Sequence, residues 1–224
     1  MGGEDISENR NGRRRVLYLS KITKCQNRSA ASAVRTLCAL NIYYTTHCPS
    51  NLSMLAPRLK LWPAAPTIVE EALDLLNVTN VDIVGDFGSG DGVALFASAA
   101  RGARAIGWEI VEDRAEASRV EAIARGVAHQ IQIITGNALD ADVDGAGVLQ
   151  LSKVYLFLIA RGLRLVVPLL RRAAALRPKG VIDVVTVLYK FDTDIEGIIL
   201  IETRRASDTA RTPLYRYTVS ALDM

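Results

Sequence analysis

One stretch constrains the fold of this chain more than any other, and it reads VDIVGDFGSGDG from Val81 to Gly92. The stretch begins with an apolar run, Val81 to Val84, which predicts a buried parallel strand. An apolar helical segment, Val93 to Ala100, follows it. Between the two lie Asp86 and a series of glycines separated by single residues. A strand, a glycine turn and a helix in this order form the first unit of a nucleotide-binding α/β sheet.

The spacing of the glycines favours one kind of ligand over another. A dinucleotide-binding turn requires G-x-G-x-x-G, but, counted from Gly88, the last glycine position holds Val93. The segment instead reads D-x-G-x-G-x-G, which resembles motif I of the class I S-adenosylmethionine (SAM) methyltransferases. SAM carries a sulfonium cation and an amino-acid tail but no phosphate, so Asp86 and Asp91 suit it better than they suit a pyrophosphate. The alternative is a glycine turn in another kind of α/β protein.

A second acid supports the SAM interpretation. The segment Ala105 to Ile110 predicts the second strand, with Glu109 at its end. This position lies roughly 20 residues beyond the glycines, where an acid accepts hydrogen bonds from ribose hydroxyls. Taken alone, Glu109 would be read as a surface residue at a strand end. After an intact glycine motif, we expect it to be a ribose ligand.

The remaining pattern predicts one α/β domain. Further elements are expected at 68–76, 111–125, 131–135, 153–159, 163–176, 181–188, 198–202 and 214–219, the last two as a hairpin. We therefore expect a Rossmann-like, seven-stranded methyltransferase sheet with a C-terminal β hairpin, spanning residues 61–224 after an N-terminal tail of residues 1–60. Asn137, just after the third strand, stands where this superfamily commonly contacts adenine, although an ordinary turn asparagine is an equal alternative.

The segment after the fourth strand excludes two classes of acceptor. Methyltransferases that act on exocyclic amines of bases, or on glutamine, carry [D/N]-P-P-[Y/F/W] there, whereas this chain has Leu158-Ile-Ala-Arg161. Methylation of a base at C5 requires a cysteine in that loop, and no cysteine follows Cys48. We therefore expect a different acceptor.

Four segments together resemble a family of small protein-lysine methyltransferases: Pro63-Ala-Ala-Pro66, Asp86 to Gly92, Gly107-Trp-Glu109 and Tyr155 to Gly162. Its members include the lysine methyltransferases of the mitochondrial ATP synthase c-subunit and of the adenine nucleotide translocase. The resemblance implies SAM as the cofactor and a protein lysine as the acceptor. Three departures are Val93 for the usual Arg, Ala160 for a common Pro, and Ala64-Ala65 where an aromatic residue is usual.

The same resemblance implies which residues form the site. The expected cofactor-binding residues are Asp86, Gly88, Ser89, Gly90, Asp91, Gly92, Glu109 and Asn137. The expected borders of the lysine channel are Trp62, Tyr155 and Phe157. The odd number of cysteines shows no zinc spacing, so we expect no metal. Two other functions stay open: methylation of a small molecule, and partner binding by a non-catalytic domain of the same fold.

The N-terminal tail has a composition of its own. No Asp or Glu occurs from Asn9 to Val69, while ten Lys and Arg residues do. This resembles a mitochondrial transit peptide, and the protein would otherwise be cytoplasmic. A basic tail could instead contact an anionic membrane surface, possible for an enzyme whose substrate is membrane-embedded. The net charge of +3 is too small to indicate nucleic acid as a partner.

Overall fold

A computed structural model describes residues 64–140 and 147–221, which form a sheet of seven strands flanked by helices. These residues belong to the unit Leu59–Met224. The main helices are α1 (Pro66–Leu75), α2 (Val93–Ala100), α3 (Glu112–Ala124) and α4 (Ala160–Ala175). The strands are β1 (Ile83–Phe87), β2 (Arg104–Glu109), β3 (Ile131–Thr135), β4 (Lys153–Leu156), β5 (Val181–Val187), β6 (Ile198–Arg205) and β7 (Pro213–Ser220).

The strand order places a crevice at the centre of the sheet. The order is β3-β2-β1-β4-β5-β7-β6, with β7 antiparallel to both of its neighbours and the first five strands parallel. The chain runs outward from β1 to β3 and then returns to β4 on the other side of β1. Ligands of open α/β sheets bind at such a switch point, beyond the carboxyl ends of the strands. The predicted seven-stranded sheet and closing hairpin are confirmed.

Helices cover both faces of the sheet, so its central strands are buried. One core cluster joins α4 to the sheet through residues such as Trp108, Leu163 and Leu170. A second cluster joins α1 and α2 to the other face and includes Leu73 and Tyr155. Burial on both faces explains why β1 and β4 read as nearly continuous apolar runs rather than as alternating patterns.

Strand β1 begins two residues later than the apolar run predicts. Val81 is 84% exposed, because the chain is still in a turn there. The carboxylate of Asp82 fixes this turn: it accepts hydrogen bonds from the backbone N–H of Thr79 (2.8 Å) and the hydroxyl of Ser152 (2.9 Å), and it pairs with Lys153 (3.0 Å). The shift places Asp86 inside the strand instead of after it.

Strand β4 ends at Leu156, three residues before the predicted end, and α4 begins three residues earlier than predicted. Ile159 has extended backbone angles and is the residue before the helix. The chain therefore leaves the sheet at Phe157 to turn into α4. Ala160 is the first helical residue, a position where proline is favoured but not required, so its departure from the family pattern does not prevent the helix.

Some predictions fall outside the described residues. Trp62 and the N-terminal tail are among them, so the structure does not test their roles. In the described ranges, no helix has both the length and the apolar character that a bilayer crossing requires.

Candidate functional site

An open cleft lies at the switch point between β1 and β4. Its lining residues are Ala64, Val69, Asp86, Gly88, Ser89, Gly90, Asp91, Val93, Ala94, Arg114, Tyr155 and Phe157. Most of the residues predicted from the glycine motif therefore meet in one place, together with two of the three predicted channel residues.

Hydrogen bonds attach the glycine loop to the carboxyl end of β2. The backbone N–H groups of Gly88 and Ser89 donate to the carbonyl oxygen of Trp108 at 2.8 and 2.9 Å. The Ser89 side chain lies against β2, where a Cβ on Gly107 would come within 2.7 Å of its Oγ. Gly107 is therefore required for this loop to approach the strand. At Gly88 and Gly90, which line the cleft, the loop has only backbone to present.

The Glu109 carboxylate stabilises the glycine loop at Gly90 by a hydrogen bond. The side chain is only 4% exposed, and its Oε2 accepts a hydrogen bond from the N–H of Gly90 at 2.8 Å. Its Oε1 accepts a hydrogen bond from the N–H of Val111 at 2.9 Å. Each carboxylate oxygen can accept a further hydrogen bond, so a role as ribose ligand remains chemically open. The sequence predicted a ligand and missed this structural role.

Asp86 is the acid that the protein leaves without a partner. It is 5% exposed, and no hydrogen bond or ion pair joins its carboxylate to the described residues. Burial, together with the nearby negative charge of Glu109, raises the pKa of Asp86 to about 8. Asp86 lies directly beside Tyr155 in the pairing of β1 with β4. A cation that enters the cleft would stabilise the ionised form of this carboxyl group.

Tyr155 and Phe157 form the aromatic wall of the cleft. Tyr155 is 3% exposed, and its hydroxyl group is buried without a hydrogen-bond partner among the described residues. Burial, with the adjacent Asp86, raises the pKa of Tyr155 well above its usual range, so its hydroxyl stays protonated. Phe157 is partly buried against the cluster that contains α1 and α2.

Helix α3 anchors the loop from its outer side. The guanidinium of Arg114 donates to Asp91 Oδ1 from Nη2 (3.0 Å) and from Nε (3.2 Å), and the hydroxyl of Ser118 donates to the carbonyl of Gly90 at 3.1 Å. The sequence analysis missed Arg114 and Ser118. Their spacing of four residues on a helix that follows the motif is the signal that could have indicated them.

Asn137 stands apart from the cleft. Its side-chain oxygen accepts a hydrogen bond from the N–H of Leu139 at 3.1 Å, and its amide donates to Asp140 at 3.2 Å. These contacts are those of an asparagine that closes its own turn. Contact between Asn137 and adenine therefore remains a prediction. Gly92, also predicted as a cofactor-binding residue, has a φ of +75° and is the residue immediately before α2.

The residues that are present fit SAM. Gly88 has φ of +93°, and a Cβ there would meet only Leu158 at 3.6 Å, so the loop offers bare backbone to a ligand. Asp86 offers an unpaired carboxylate to a cationic tail. Among the described residues that line the cleft, Arg114 is the one cation, and it is paired with Asp91, so these residues provide no cluster of cations for a pyrophosphate.

Solved structures with this fold include SAM-dependent methyltransferases. Neither a protein-family model nor a curated protein matches the chain. An RNA methyltransferase from Salinibacter ruber, in complex with S-adenosyl-L-homocysteine, is 27% identical over 73% of this chain and 97% of its own, with a TM-score of 0.59. TrmN from Thermus thermophilus is 18% identical (TM-score 0.54) over 69% of this chain, which spans 48% of that protein.

A third similar structure is a methyltransferase whose name gives a different acceptor. The SAM-dependent O-methyltransferase from Thermotoga maritima is 13% identical, covers 74% of this chain and 69% of its own, and has a TM-score of 0.53. The fold is thus shared by proteins whose names give different acceptors. The chain has the fold of the class I SAM-dependent methyltransferases, and its cleft lies at a buried acid and a glycine loop.

Proposed function

We propose that the protein is a SAM-dependent methyltransferase that modifies a lysine side chain of another protein. The observation that carries the proposal is the composition of the cleft. The lining combines the bare backbone of the glycine loop and the buried carboxyl group of Asp86 with apolar side chains, among them Val69, Val93 and Phe157. An apolar wall suits the methylene stem of a lysine, whose terminal nitrogen must reach the reactive centre.

The chemistry requires little of the protein beyond positioning. Bound SAM supplies an electrophilic methyl group, and a neutral amine accepts it. The protein must hold the two reactants in line and remove water from the amine. Phe157 would help to exclude water at this point, and Glu109 would keep the glycine loop in its binding conformation through its bond to Gly90.

A second candidate acceptor is RNA. The supporting observation is the RNA methyltransferase from Salinibacter ruber, which this chain matches over 97% of that protein's length. The missing [D/N]-P-P-[Y/F/W] segment speaks against exocyclic amines of bases, but other positions of RNA stay possible. The low net charge, which led us to expect no nucleic acid, does not exclude a small local contact.

Two further alternatives are less favoured. Methylation of a small molecule fits the fold, since the similar structures include a SAM-dependent O-methyltransferase. A non-catalytic binding domain would not need the complete series Asp86, Gly88, Gly90 and Gly92. We also propose that the basic tail directs the protein to mitochondria or holds it on the membrane that contains its substrate, because residues 9–69 contain no acid.

The decisive experiment is transfer of a labelled methyl group. The full chain is incubated with methyl-tritiated SAM and a mitochondrial extract, and the product is divided between protease and ribonuclease treatments. Lysine methylation predicts label that protease releases and that amino-acid analysis recovers as methyl-lysine. Label that ribonuclease releases would establish the RNA alternative. The control is Gly90→Val, which places a side chain where a Cβ would lie 2.6 Å from Arg114 Nη2 and should abolish either signal.

A further inference from the structure

The floor of the cleft contains two buried polar groups that lack partners. The hydroxyl of Tyr155 is buried without a hydrogen-bond partner, and the carboxyl group of Asp86, a residue that is only 5% exposed, accepts no hydrogen bond from the described residues. The two residues are aligned on adjacent strands, so their side chains leave the same face of the sheet about 5 Å apart at the backbone. Both line the same cleft.

Nearby groups cannot satisfy this pair. Glu109 uses both of its oxygens on backbone N–H groups and adds negative charge beside Asp86. The guanidinium of Arg114 is bound to Asp91. A buried polar group without a partner destabilises a folded protein, so two of them side by side indicate a ligand that supplies the missing contacts.

The chemistry of the pair specifies that ligand group. A carboxylate accepts hydrogen bonds and attracts positive charge, and a phenol oxygen can accept one hydrogen bond while its own O–H donates to a neighbouring acceptor. An ammonium group provides three donors and one positive charge, so it can bond to both residues at once. A hydroxyl or an amide would satisfy the hydrogen bonds but would not offset the cost of ionising this buried carboxyl group.

We propose that Tyr155 and Asp86 together receive the α-ammonium group of SAM, so that Tyr155 positions the cofactor and does not border the lysine channel. This inference rests on the proposed SAM-dependent function and assigns a residue that the sequence analysis placed on the acceptor side. It follows that the Tyr155 hydroxyl destabilises the free protein and strengthens the complex.

The test compares two ligands that differ only in the amino-acid tail. S-adenosylhomocysteine has the ammonium group, whereas 5′-methylthioadenosine retains the adenosine and the sulfur without it. Calorimetry on wild type and Tyr155→Phe should show at least a tenfold rise in the Kd for S-adenosylhomocysteine, about the effect of one hydrogen bond to a charged group. The Kd for 5′-methylthioadenosine should not change. The Tm of the free variant should rise by about 2–4 °C, because an unpaired buried hydroxyl is removed.

A matched control is Tyr217→Phe, which removes a hydroxyl from a buried tyrosine on the opposite face of the sheet, where its ring meets Phe191 at 5.1 Å. It should leave both dissociation constants unchanged. Equal weakening of both ligands by Tyr155→Phe would show that the hydroxyl acts on the adenosine part that both ligands share, and would overturn the proposal. So would unchanged binding of both ligands with slower methyl transfer, which would return Tyr155 to the acceptor side.

Two other results are also informative. A lower Tm of the free Tyr155→Phe variant would reveal a structural partner for the hydroxyl and would refute the argument from the unpaired group. If wild type binds neither ligand, the proposed function fails, and the ammonium subsite fails with it. Binding of both ligands to wild type with no selective effect of Tyr155→Phe rejects the subsite alone and leaves the proposed function intact.

Discussion

The ionisation of Asp86 should control the affinity of the protein for its cofactor. Its pKa is raised to about 8, first by burial and then by the charge of Glu109. The groups around it are Glu109 from β2, Tyr155 from β4, and the Asp91–Arg114 pair beside the loop. An ammonium group binds the ionised carboxylate, so below pH 8 the ligand must displace a proton before it can bind.

The size of this effect follows from the fraction of Asp86 that is ionised in the free protein. With a pKa of about 8, that fraction is about one half at pH 8 and about 1% at pH 6. The apparent affinity falls in proportion to the competent fraction. We therefore expect S-adenosylhomocysteine to bind about 50-fold more weakly at pH 6 than at pH 8, with release of about 0.9 proton per ligand at pH 7.

The same shift predicts how stability depends on pH. The folded pKa of Asp86 lies above the unfolded value of 3.8, so its contribution to stability is complete below the unfolded pKa. That contribution is lost as the pH rises through the folded pKa of about 8, by at most about 6 kcal/mol at 1.36 kcal/mol per pKa unit. Asp86→Asn removes the buried charge and should stabilise the free protein at pH 8, while it weakens ligand binding.

The assay is calorimetry at pH 7 in two buffers with different ionisation enthalpies, followed by titrations from pH 6 to 8 and melting curves of the free proteins. Asp82→Asn is the contrasting control. Burial raises the pKa of Asp82, but bonds from Thr79, Lys153 and Ser152 outweigh burial and lower it, so this variant should lose stability at pH 8. Wild-type affinity that is constant from pH 6 to 8, with no proton released, would refute the reasoning.

Three other changes test the site and the tail. Gly90→Val should abolish SAM binding in calorimetry and lower the Tm more than Gly126→Val. Both glycines have positive φ, but only at Gly90 would the new side chain clash with a neighbour, Arg114; equal effects of the two variants would contradict this. Glu109→Gln should lose one charged hydrogen bond to the backbone, lower the free energy of unfolding by about 1–3 kcal/mol in denaturant titrations, and weaken SAM binding. An unchanged free energy of unfolding would show that Glu109 does not stabilise the glycine loop. Residues 1–60 fused to a fluorescent reporter should direct it to mitochondria, and a diffuse cytosolic signal would contradict mitochondrial targeting by the tail.

The sequence alone predicted those elements whose bounds depend on neighbouring residues in the chain. The bounds of α2 and β3 were predicted to the residue, because an apolar segment between two glycines and a short β-branched run leave few alternatives. The order of strand, loop and helix around Gly88 and Gly90 followed from the same reasoning. The acid–glycine pattern also predicted the SAM site, since the chemistry of the ligand is reflected in residue types within a few positions.

Tertiary contacts decided what local sequence could not. The start of β1 depends on Asp82, whose partners Ser152 and Lys153 lie about 70 residues away in the chain. The end of β4 depends on where α4 can begin. The anchoring of the loop by Arg114 depends on how α3 packs, and a motif search confined to the loop does not include it.

The three acids of the site show why partners matter more than position. Asp86, Asp91 and Glu109 look equivalent in the sequence, since each is a carboxylate near a glycine motif. Glu109 accepts hydrogen bonds from two backbone N–H groups, and Asp91 forms an ion pair with Arg114. Of these three acids, Asp86 alone has no partner among the described residues, and burial makes its ionisation costly until a cation binds. A cofactor with one ammonium group needs one such carboxylate, and a second would repel the first, so shaping the loop and binding the cation must fall to different acids.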